Sequence, residues 1–170
     1  MSHRPNANEY APYYHTYVGK VPEGELIQLL TAQIEDTLAI FAGISEEKGG
    51  YRYAEGKWSI KEVLNHLIDT ERVMAYRALA VGRGDKTALP SFDQDNYVAS
   101  FDANKRTVAE MAAEFKIVRQ SSIALFQSFT DKMMEEKGTA SGFPISARAL
   151  AYIILGHELH HVGILKERYL

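Results

Sequence analysis

The sequence from Leu150 to Leu165, LAYIILGHELHHVGIL, is the part of the chain that says most about its architecture. An α-helix advances about 100° per residue, so the spacing of the apolar residues here places one apolar stripe along a helix. His157 and His161 lie about 20° on either side of the centre of that stripe, whereas His160 lies about 80° away. The residues that define the stripe are Leu150, Ile153, Ile154, Ile164 and Leu165. The stretch therefore predicts a buried helix that turns two histidines toward the core.

Two imidazoles four residues apart on a buried face indicate a metal site. A buried imidazole is costly without a partner, and one divalent cation satisfies two of them at once. The alternative is a pair of core histidines that share a hydrogen bond. The chain has no cysteine, so a metal would be bound through nitrogen and oxygen atoms. Such ligands favour Zn²⁺, Ni²⁺, Fe²⁺ or Mn²⁺ over an ion such as Cu⁺ that prefers sulfur ligands, and the order of affinities does not select one of the four.

The same stretch matches the motif H-E-x-x-H, in which Glu158 would be the general base of a zinc metalloprotease. The longer metzincin form of the motif fails, because Gly163 and Ile164 stand where that motif has x and Gly, and the sequence ends at Leu170. A third ligand is therefore expected upstream of His157.

His66 is the upstream candidate. It lies in a segment that begins with a capping box, Ser59 followed three residues later by Glu62. The apolar residues that follow keep helical spacing, namely Ile60, Val63, Leu64, Leu67 and Met74. The segment predicts a helix from Ser59 to about Val81 that can turn His66 inward, toward His157 and His161.

The remaining candidates have weaker signals. His160 is expected at the surface or beside the ligands, with replacement of a neighbouring ligand as the alternative. His3 and His15 lie in a segment without helical period and are interpreted as structural or exposed. Asp69, one turn after His66, is a candidate to orient a ligand imidazole or to act as a base. For Asp69 as for Glu158, the alternative is a solvated or salt-bridged helix residue.

Length and composition predict a single domain over residues 1–170, with residues 1–20 as an N-terminal arm. With 46% hydrophobic residues the chain can bury one sizeable core. The net charge of −3 and the scattered Lys and Arg residues argue against a nucleic-acid partner. No apolar run approaches the roughly 20 residues of a membrane span, and the N-terminus lacks the apolar core of a signal peptide, so we expect a cytoplasmic protein without a membrane partner.

The periodicity predicts an all-α protein, a four-helix bundle with near up-and-down connectivity. Besides residues 59–81, helices are expected from Glu23, just after Pro22, to Gly43, from about Ala103 to Phe129, and from Ser146 onward. Residues 44–58 are expected to be irregular, with room for a short hairpin, and no segment has the strict alternation of a sheet. Residues 83–103 form a long loop between the second and third helices, either functional or a strap over the bundle end.

The last helix is apolar almost all round. Its second apolar face carries Tyr152, Leu155, Leu159 and Val162. That face needs a cover, which either residues 9–18 or a second copy of the chain would supply. A homodimer is the favoured expectation.

With these residues placed, the chain resembles the DinB/YfiT superfamily. Residues 58–71 follow the pattern Trp-Ser-x-x-Glu-Val-x-x-His-Leu-x-Asp-x-Glu, residues 92–95 read Phe-Asp-Gln-Asp, and His157 begins a His-x-x-x-His. The resemblance covers roughly residues 20–170. It implies a four-helix bundle with near up-and-down connectivity and a three-histidine site for zinc, nickel or a related ion, with His66, His157 and His161 at the ligand positions. Relatives include thiol transferases that use bacillithiol or mycothiol, and a mycothiol-dependent isomerase.

Three hypotheses for function follow. Three imidazoles leave a divalent cation an open position, where a low-molecular-weight thiol such as bacillithiol would become a nucleophile toward an epoxide, halide or quinone. In the second hypothesis the protein is a hydrolase with metal-bound water, whose proton Glu158 or Asp69 accepts. In the third, a non-enzymatic stress-response bundle binds the metal. Arg77 and Arg83 are candidates to recognise the carboxylates of a thiol, although ordinary surface charge is the favoured interpretation of each.

Overall fold

Four long helices form the computed structural model, which describes residues 3–170. They are α1 (Leu26–Ala42), α2 (Ile60–Gly82), α3 (Val108–Gln127) and α4 (Ala147–Ile164). Each begins after a residue whose side chain accepts a hydrogen bond from a backbone N–H of the first turn: Glu25, Ser59, Thr107 and Ser146. The predicted four-helix bundle is confirmed. Across residues 3–170, no helix is both long enough and apolar enough to cross a lipid bilayer.

Two helix starts differ from the prediction because of their caps. The side chain of Glu25 accepts a hydrogen bond from the N–H of Gln28, so α1 begins after Glu25 and not near Pro22. Thr107 and Glu110 form a capping box, which starts α3 at Val108, several residues after Ala103.

Short elements fill the connections. The helical turns are Ala7–Glu9, Pro12–Tyr14, His15–Val18, Glu46–Gly49, Gln94–Ser100, Ala103–Lys105 and Asp131–Glu135, and a π-helical turn, Leu165–Tyr169, continues α4. Strands β1 (Lys137–Ala140) and β2 (Phe143–Ser146) form an antiparallel hairpin with Lys137 opposite Ser146. The expectation of no sheet was wrong here, because four-residue strands are too short to show alternation. Residues 44–58 hold the turn Glu46–Gly49 and no strand.

Helices α2 and α3 run parallel, which explains the long loop between them. One core cluster joins the end of α1, the starts of α2 and α3, and the end of the α4 segment; it includes Phe41, Val63, Val108 and Leu165. The second cluster joins the opposite ends; it includes Leu30, Val81, Phe126 and Leu150. The helices therefore run up, down, down and up, and residues 83–107 must return along the bundle before α3 can begin. The single departure from up-and-down connectivity lies at this loop.

The N-terminal arm covers the outer face of α4. Tyr10, Tyr14 and Val18 are buried in the same core cluster as the apolar residues of α4. The arm comes so close at Gly156 that a Cβ added there would lie 2.0 Å from the backbone oxygen of Tyr17. The face that motivated a homodimer is thus covered by the chain itself, and the homodimer remains an untested prediction.

Gly156→Ala is expected to destabilise the fold by about 1–3 kcal/mol, because the new methyl group displaces the backbone of the arm. Gly163→Ala is the matched control on the same helix, since a Cβ there meets nothing within 4 Å. The control is expected to be neutral or to stabilise by up to about 1 kcal/mol, the helix-propensity difference between the two residues. Urea unfolding of the three proteins measures both effects, and equal midpoints would contradict the close packing.

Glu9 anchors the arm to the start of α4. Its carboxylate is 1% exposed and accepts hydrogen bonds from Arg148 Nε and Ser146 Oγ, each at 2.7 Å. Burial alone would raise the pKa of Glu9, but its hydrogen bonds, above all those from Arg148, lower the pKa to about 2. Folding therefore favours the ionised carboxylate.

Glu9→Gln is expected to lower the free energy of unfolding at pH 7 by an amount on the order of 3 kcal/mol. Because the folded-state pKa of about 2 lies below the reference value of 4.5, the contribution of Glu9 is complete above pH 4.5 and is lost progressively as the pH falls toward 2. Urea unfolding of wild type and variant at neutral and acidic pH measures the difference. A difference that does not shrink below about pH 4 would contradict this assignment.

Candidate metal centre

His66, His157 and His161 converge where α2 and α4 pack against each other. His66 Nε2 lies 2.9 Å from His157 Nε2, and the ligand atoms of all three residues lie within 4.8 Å of one another. The three ring centroids are 4.5 to 4.8 Å apart. Because α2 and α4 run in opposite directions, the first half of α2 meets the second half of α4. The structure thus brings together the three histidines that the sequence placed on two inward faces.

The arrangement fits a first-row divalent cation. Two nitrogens at about 2.0–2.1 Å from a tetrahedral Zn²⁺ are separated by roughly 3.3 Å, a few tenths of an ångström more than the separation of His66 and His157. A hydrogen-bonded pair would explain that one short distance, but it would leave His161 without a role in the cluster. Three imidazole nitrogens with no thiolate form a donor set typical of zinc, nickel or iron sites.

The local electrostatics keep all three imidazoles neutral. Burial, with a smaller contribution from neighbouring histidines, lowers the pKa of His66 to about 4 and that of His161 to about 3. Burial, followed by the same repulsion between imidazoles, holds the pKa of His157 well below 6.5. Neutral imidazole is the form that binds metal, so the folded protein presents three available lone pairs near neutral pH.

Aromatic rings and one hydroxyl fix the orientation of the ligands. Trp58, the residue before the Ser59 cap, stacks on His161 with ring centroids 6.5 Å apart and lies 4.8 Å from the ring of His66. Tyr17 of the arm meets His157 edge-on at 5.4 Å. Thr70 Oγ1 lies 3.4 Å from His66 Nδ1. Sequence reasoning missed Thr70, although its position four residues after His66 puts it on the same helix face.

Asp69 does not contact the ligands in the way the sequence suggested. Its carboxylate accepts a hydrogen bond from Asn65 Nδ2 at 2.8 Å and lies 3.9 Å from Arg72 Nη1. Burial raises its pKa despite these partners. Thr70, one residue further along α2, lies beside His66 Nδ1, the ring nitrogen that does not face His157.

Glu158 belongs to a buried ion-pair network, and it lines a small cavity of about 10 Å³ together with His157. It accepts hydrogen bonds from Thr37 of α1 and, at 2.5 Å, from Arg119 Nη2 of α3, whereas His157 and His161 face α2. Arg119 also donates to both carboxylate oxygens of Glu71, at 2.8 and 2.9 Å. This geometry argues against the predicted role of Glu158 as a general base, because both of its oxygens are already committed.

The other histidines lie outside the cluster. His160 is half-buried between Tyr17, at 5.3 Å, and His161, at 5.0 Å, and is not among the convergent ligands. His3 and His15 are exposed, as predicted.

Two cavities large enough for a small organic molecule flank the three histidines. The first has a volume of about 280 Å³ and the second about 260 Å³. The wall of the first includes His157, Tyr17, Thr70, Arg77, Phe92 and Gln94. The wall of the second includes His161, Trp58, Lys57, Tyr53 and Asp95. The long loop supplies residues to both walls, which favours its functional interpretation over that of a simple strap.

Known proteins resemble this chain in sequence and fold. It is 21% identical over 124 residues to a protein of Oceanobacillus iheyensis provisionally assigned as a metal-dependent hydrolase, covering 72% of this chain and 71% of that protein. YfiT of Bacillus subtilis has a similar fold, with a TM-score of 0.72 and 14% sequence identity over 97% of this chain and 90% of YfiT. YfiT is described as a probable metal-dependent hydrolase with an unusual four-helix bundle topology. For the DinB-like protein YjoA of Bacillus subtilis the TM-score is 0.61 at 20% identity, covering 84% and 87% of the two chains. The family model of the DinB superfamily matches residues 29–165, a range that includes all three convergent histidines, and this chain belongs to that superfamily.

Proposed function

We propose that this protein is a divalent-metal-dependent transferase that joins a low-molecular-weight thiol, such as bacillithiol, to an electrophilic small molecule. His66, His157 and His161 would hold the ion, zinc or nickel by preference. When bound, the cation supplies Lewis acidity that lowers the pKa of a thiol at its open coordination position. The membership in the DinB superfamily and the three-histidine cluster support metal dependence.

The observation that carries the transferase proposal is the pair of cavities. Each has one metal-ligand histidine in its wall, His157 in the first and His161 in the second. A transfer reaction must hold two organic substrates near one reacting centre, whereas hydrolysis needs room for one organic substrate and water. Two separate spaces of similar volume therefore favour transfer.

The side chains around the cluster suit a reaction that needs no protein base. Glu158 is committed to Thr37 and Arg119, and Asp69 is committed to Asn65. In the proposed reaction with an organic halide, the thiol loses its proton to solvent, its sulfur bonds to the electrophilic carbon, and the halide leaves with the bonding electrons. Trp58, Tyr17 and Thr70 hold the imidazoles in place and shield them from bulk water.

The test is turnover by the metal-loaded protein. Zinc- and nickel-loaded samples are incubated with bacillithiol and monochlorobimane, and the fluorescent conjugate is measured against His66→Ala as the control. We expect conjugate formation that requires the thiol, the metal and His66. Wild-type rates equal to those of His66→Ala would overturn the proposal.

Hydrolysis is the second candidate, because two of the relatives are described as metal-dependent hydrolases. Ester substrates offered to the same metal-loaded protein separate the two reactions. Turnover of esters without any thiol would replace transfer by hydrolysis. A loaded protein that turns over neither class would favour the non-enzymatic alternative, a metal-binding or stress-response bundle.

A further inference from the structure

Arg77 is a buried cation whose hydrogen-bond partners are all uncharged. It is 2% exposed, on the last third of α2. Its Nη2 donates to the backbone oxygen of Pro90 at 2.6 Å and to Ser141 Oγ at 3.2 Å, and its Nη1 lies 3.8 Å from the sulfur of Met74. Within residues 3–170, no carboxylate forms an ion pair with it. The interpretation of Arg77 as surface charge was therefore wrong, and its positive charge lacks a counter-ion.

Within residues 3–170, the buried Arg119 and the partly buried Arg148 are both neutralised. Arg119 is paired with Glu71 and Glu158, and Arg148 is paired with Glu9. Burying a guanidinium without an anion is costly, since the charge loses its hydration and gains no Coulombic partner. If Arg77 only linked Pro90 and Ser141 structurally, its position would need hydrogen-bond donors but no net charge. The contrast suggests that the anion comes from outside the chain.

The space beside Arg77 leads to the metal centre. Arg77 and Thr70 line the same 280 Å³ cavity as His157, and they lie seven residues apart on α2, about 10 Å along the helix axis. The ring of Phe92 lies 5.7 Å from the guanidinium. Tyr14 lines the same wall, and burial raises its pKa although Arg77 opposes that effect, so its phenol stays neutral and does not supply the missing negative charge.

We infer that this cavity binds a small organic anion, whose carboxylate or phosphate group pairs with Arg77 while its other end reaches His157. This inference rests on the proposed function, because it assigns the anionic group to one of the two substrates. A guanidinium suits both carboxylate and phosphate, since its fixed fork of N–H donors matches their oxygen spacing. The volume is near the lower end of the range for small-molecule sites.

The first experiment measures anion binding by the metal-free wild-type protein, so that it does not depend on catalysis. Succinate, its uncharged analogue succinamide, and inorganic phosphate are titrated by isothermal calorimetry and by amide chemical shifts. We expect succinate or phosphate to bind at least tenfold more tightly than succinamide, and the tighter of the two anions identifies the group. Equal affinity for succinate and succinamide, with phosphate no tighter, would overturn the inference even if every Arg77 variant failed to fold.

The second experiment assigns the binding to Arg77. Arg77→Gln is expected to lose at least tenfold in affinity for the anion, and Arg77→Lys to lose less, because lysine keeps the charge without the fork. Arg83→Gln is the matched control, since Arg83 lies six residues further on and is exposed. A purely structural Arg77 would change the unfolding midpoint without changing the preference of the folded protein for anions.

The two proposals fail in different ways. Anion binding without thiol turnover would overturn the transferase proposal and leave the anion site in place. Thiol turnover with no preference for anionic over neutral substrates, and with full activity in Arg77→Gln, would overturn the anion site and leave the transferase proposal in place.

Discussion

Elemental analysis of the natively purified wild-type protein is expected to find about one divalent ion per chain, and His66→Ala is expected to carry almost none. His66 is the member of the cluster that lies on α2, so its loss leaves His157 and His161, which lie on one helix. Changes outside the ligand shell already cost about 10–100-fold in metal affinity, and the loss of a ligand is expected to cost more than that. The residual site should not retain metal through purification.

His160→Ala is the control for this prediction. His160 is adjacent to a ligand and in ring contact with it at 5.0 Å, yet it lies outside the convergent set. Its variant is expected to keep the full metal content. Loss of metal in His160→Ala together with retention in His66→Ala would reassign the site.

Metal binding should also stabilise the fold where His66 is present. A ligand that binds only the folded state at 100 times its Kd adds about 2.7 kcal/mol. Adding zinc to chelator-treated wild type is therefore expected to raise its Tm, and the same addition should have little effect on His66→Ala. Equal shifts in both proteins would place the stabilising ion elsewhere.

The convergence of the three histidines was predictable because each signal is local. His157 and His161 are four residues apart on a helix with a regular apolar stripe, and His66 follows a capping box that fixes where α2 begins. Counting about 100° per residue from a known start is enough to say which residues turn inward. The convergence of the two helices follows once both inward faces carry histidine.

The connectivity and the roles of the charged residues were not predictable in the same way. The apolar pattern of α3 is the same whether it runs parallel or antiparallel to α2, so periodicity alone does not give its direction. Arg77 and Arg119 also have no local signal, since a charged residue on a helix is usually exposed. Their burial depends on Glu71, Pro90 and other partners that only the tertiary structure brings together.

The largest effect on stability is expected from Arg119→Met. The guanidinium of Arg119 is fully buried, at 0% exposure, and links α3 to Glu71 of α2 and Glu158 of α4. These carboxylates are 4% and 1% exposed. Removing the arginine leaves two neighbouring carboxylates buried without a counter-ion. Breaking a buried pair in this way typically costs about 3–5 kcal/mol.

Thermal unfolding is expected to show this loss as a Tm lowered by roughly 6–20 °C for a chain of this size. Arg168→Met is the control, because Arg168 and its partner Glu167 are both exposed and such pairs contribute little. The loss in Arg119→Met should be greater at pH 8 than at pH 5. Burial already raises the pKa of Glu158, and an acid whose folded-state pKa is raised loses stability as the pH increases.

The triple variant Arg119→Met, Glu71→Gln, Glu158→Gln separates the cost of unpaired charge from the loss of a stabilising contact. It removes the charges together, so it is expected to recover most of the stability lost in Arg119→Met, because a buried pair contributes little net stability beyond compensating its own desolvation. Glu158 is adjacent in sequence to the ligand His157, so the triple variant also tests whether the network supports the metal centre. If the triple variant recovers stability but binds zinc less tightly than wild type, the network supports the metal centre. If it recovers stability and binds zinc as tightly as wild type, the network serves folding alone. If Arg119→Met alone is as stable as wild type, the buried network itself is contradicted.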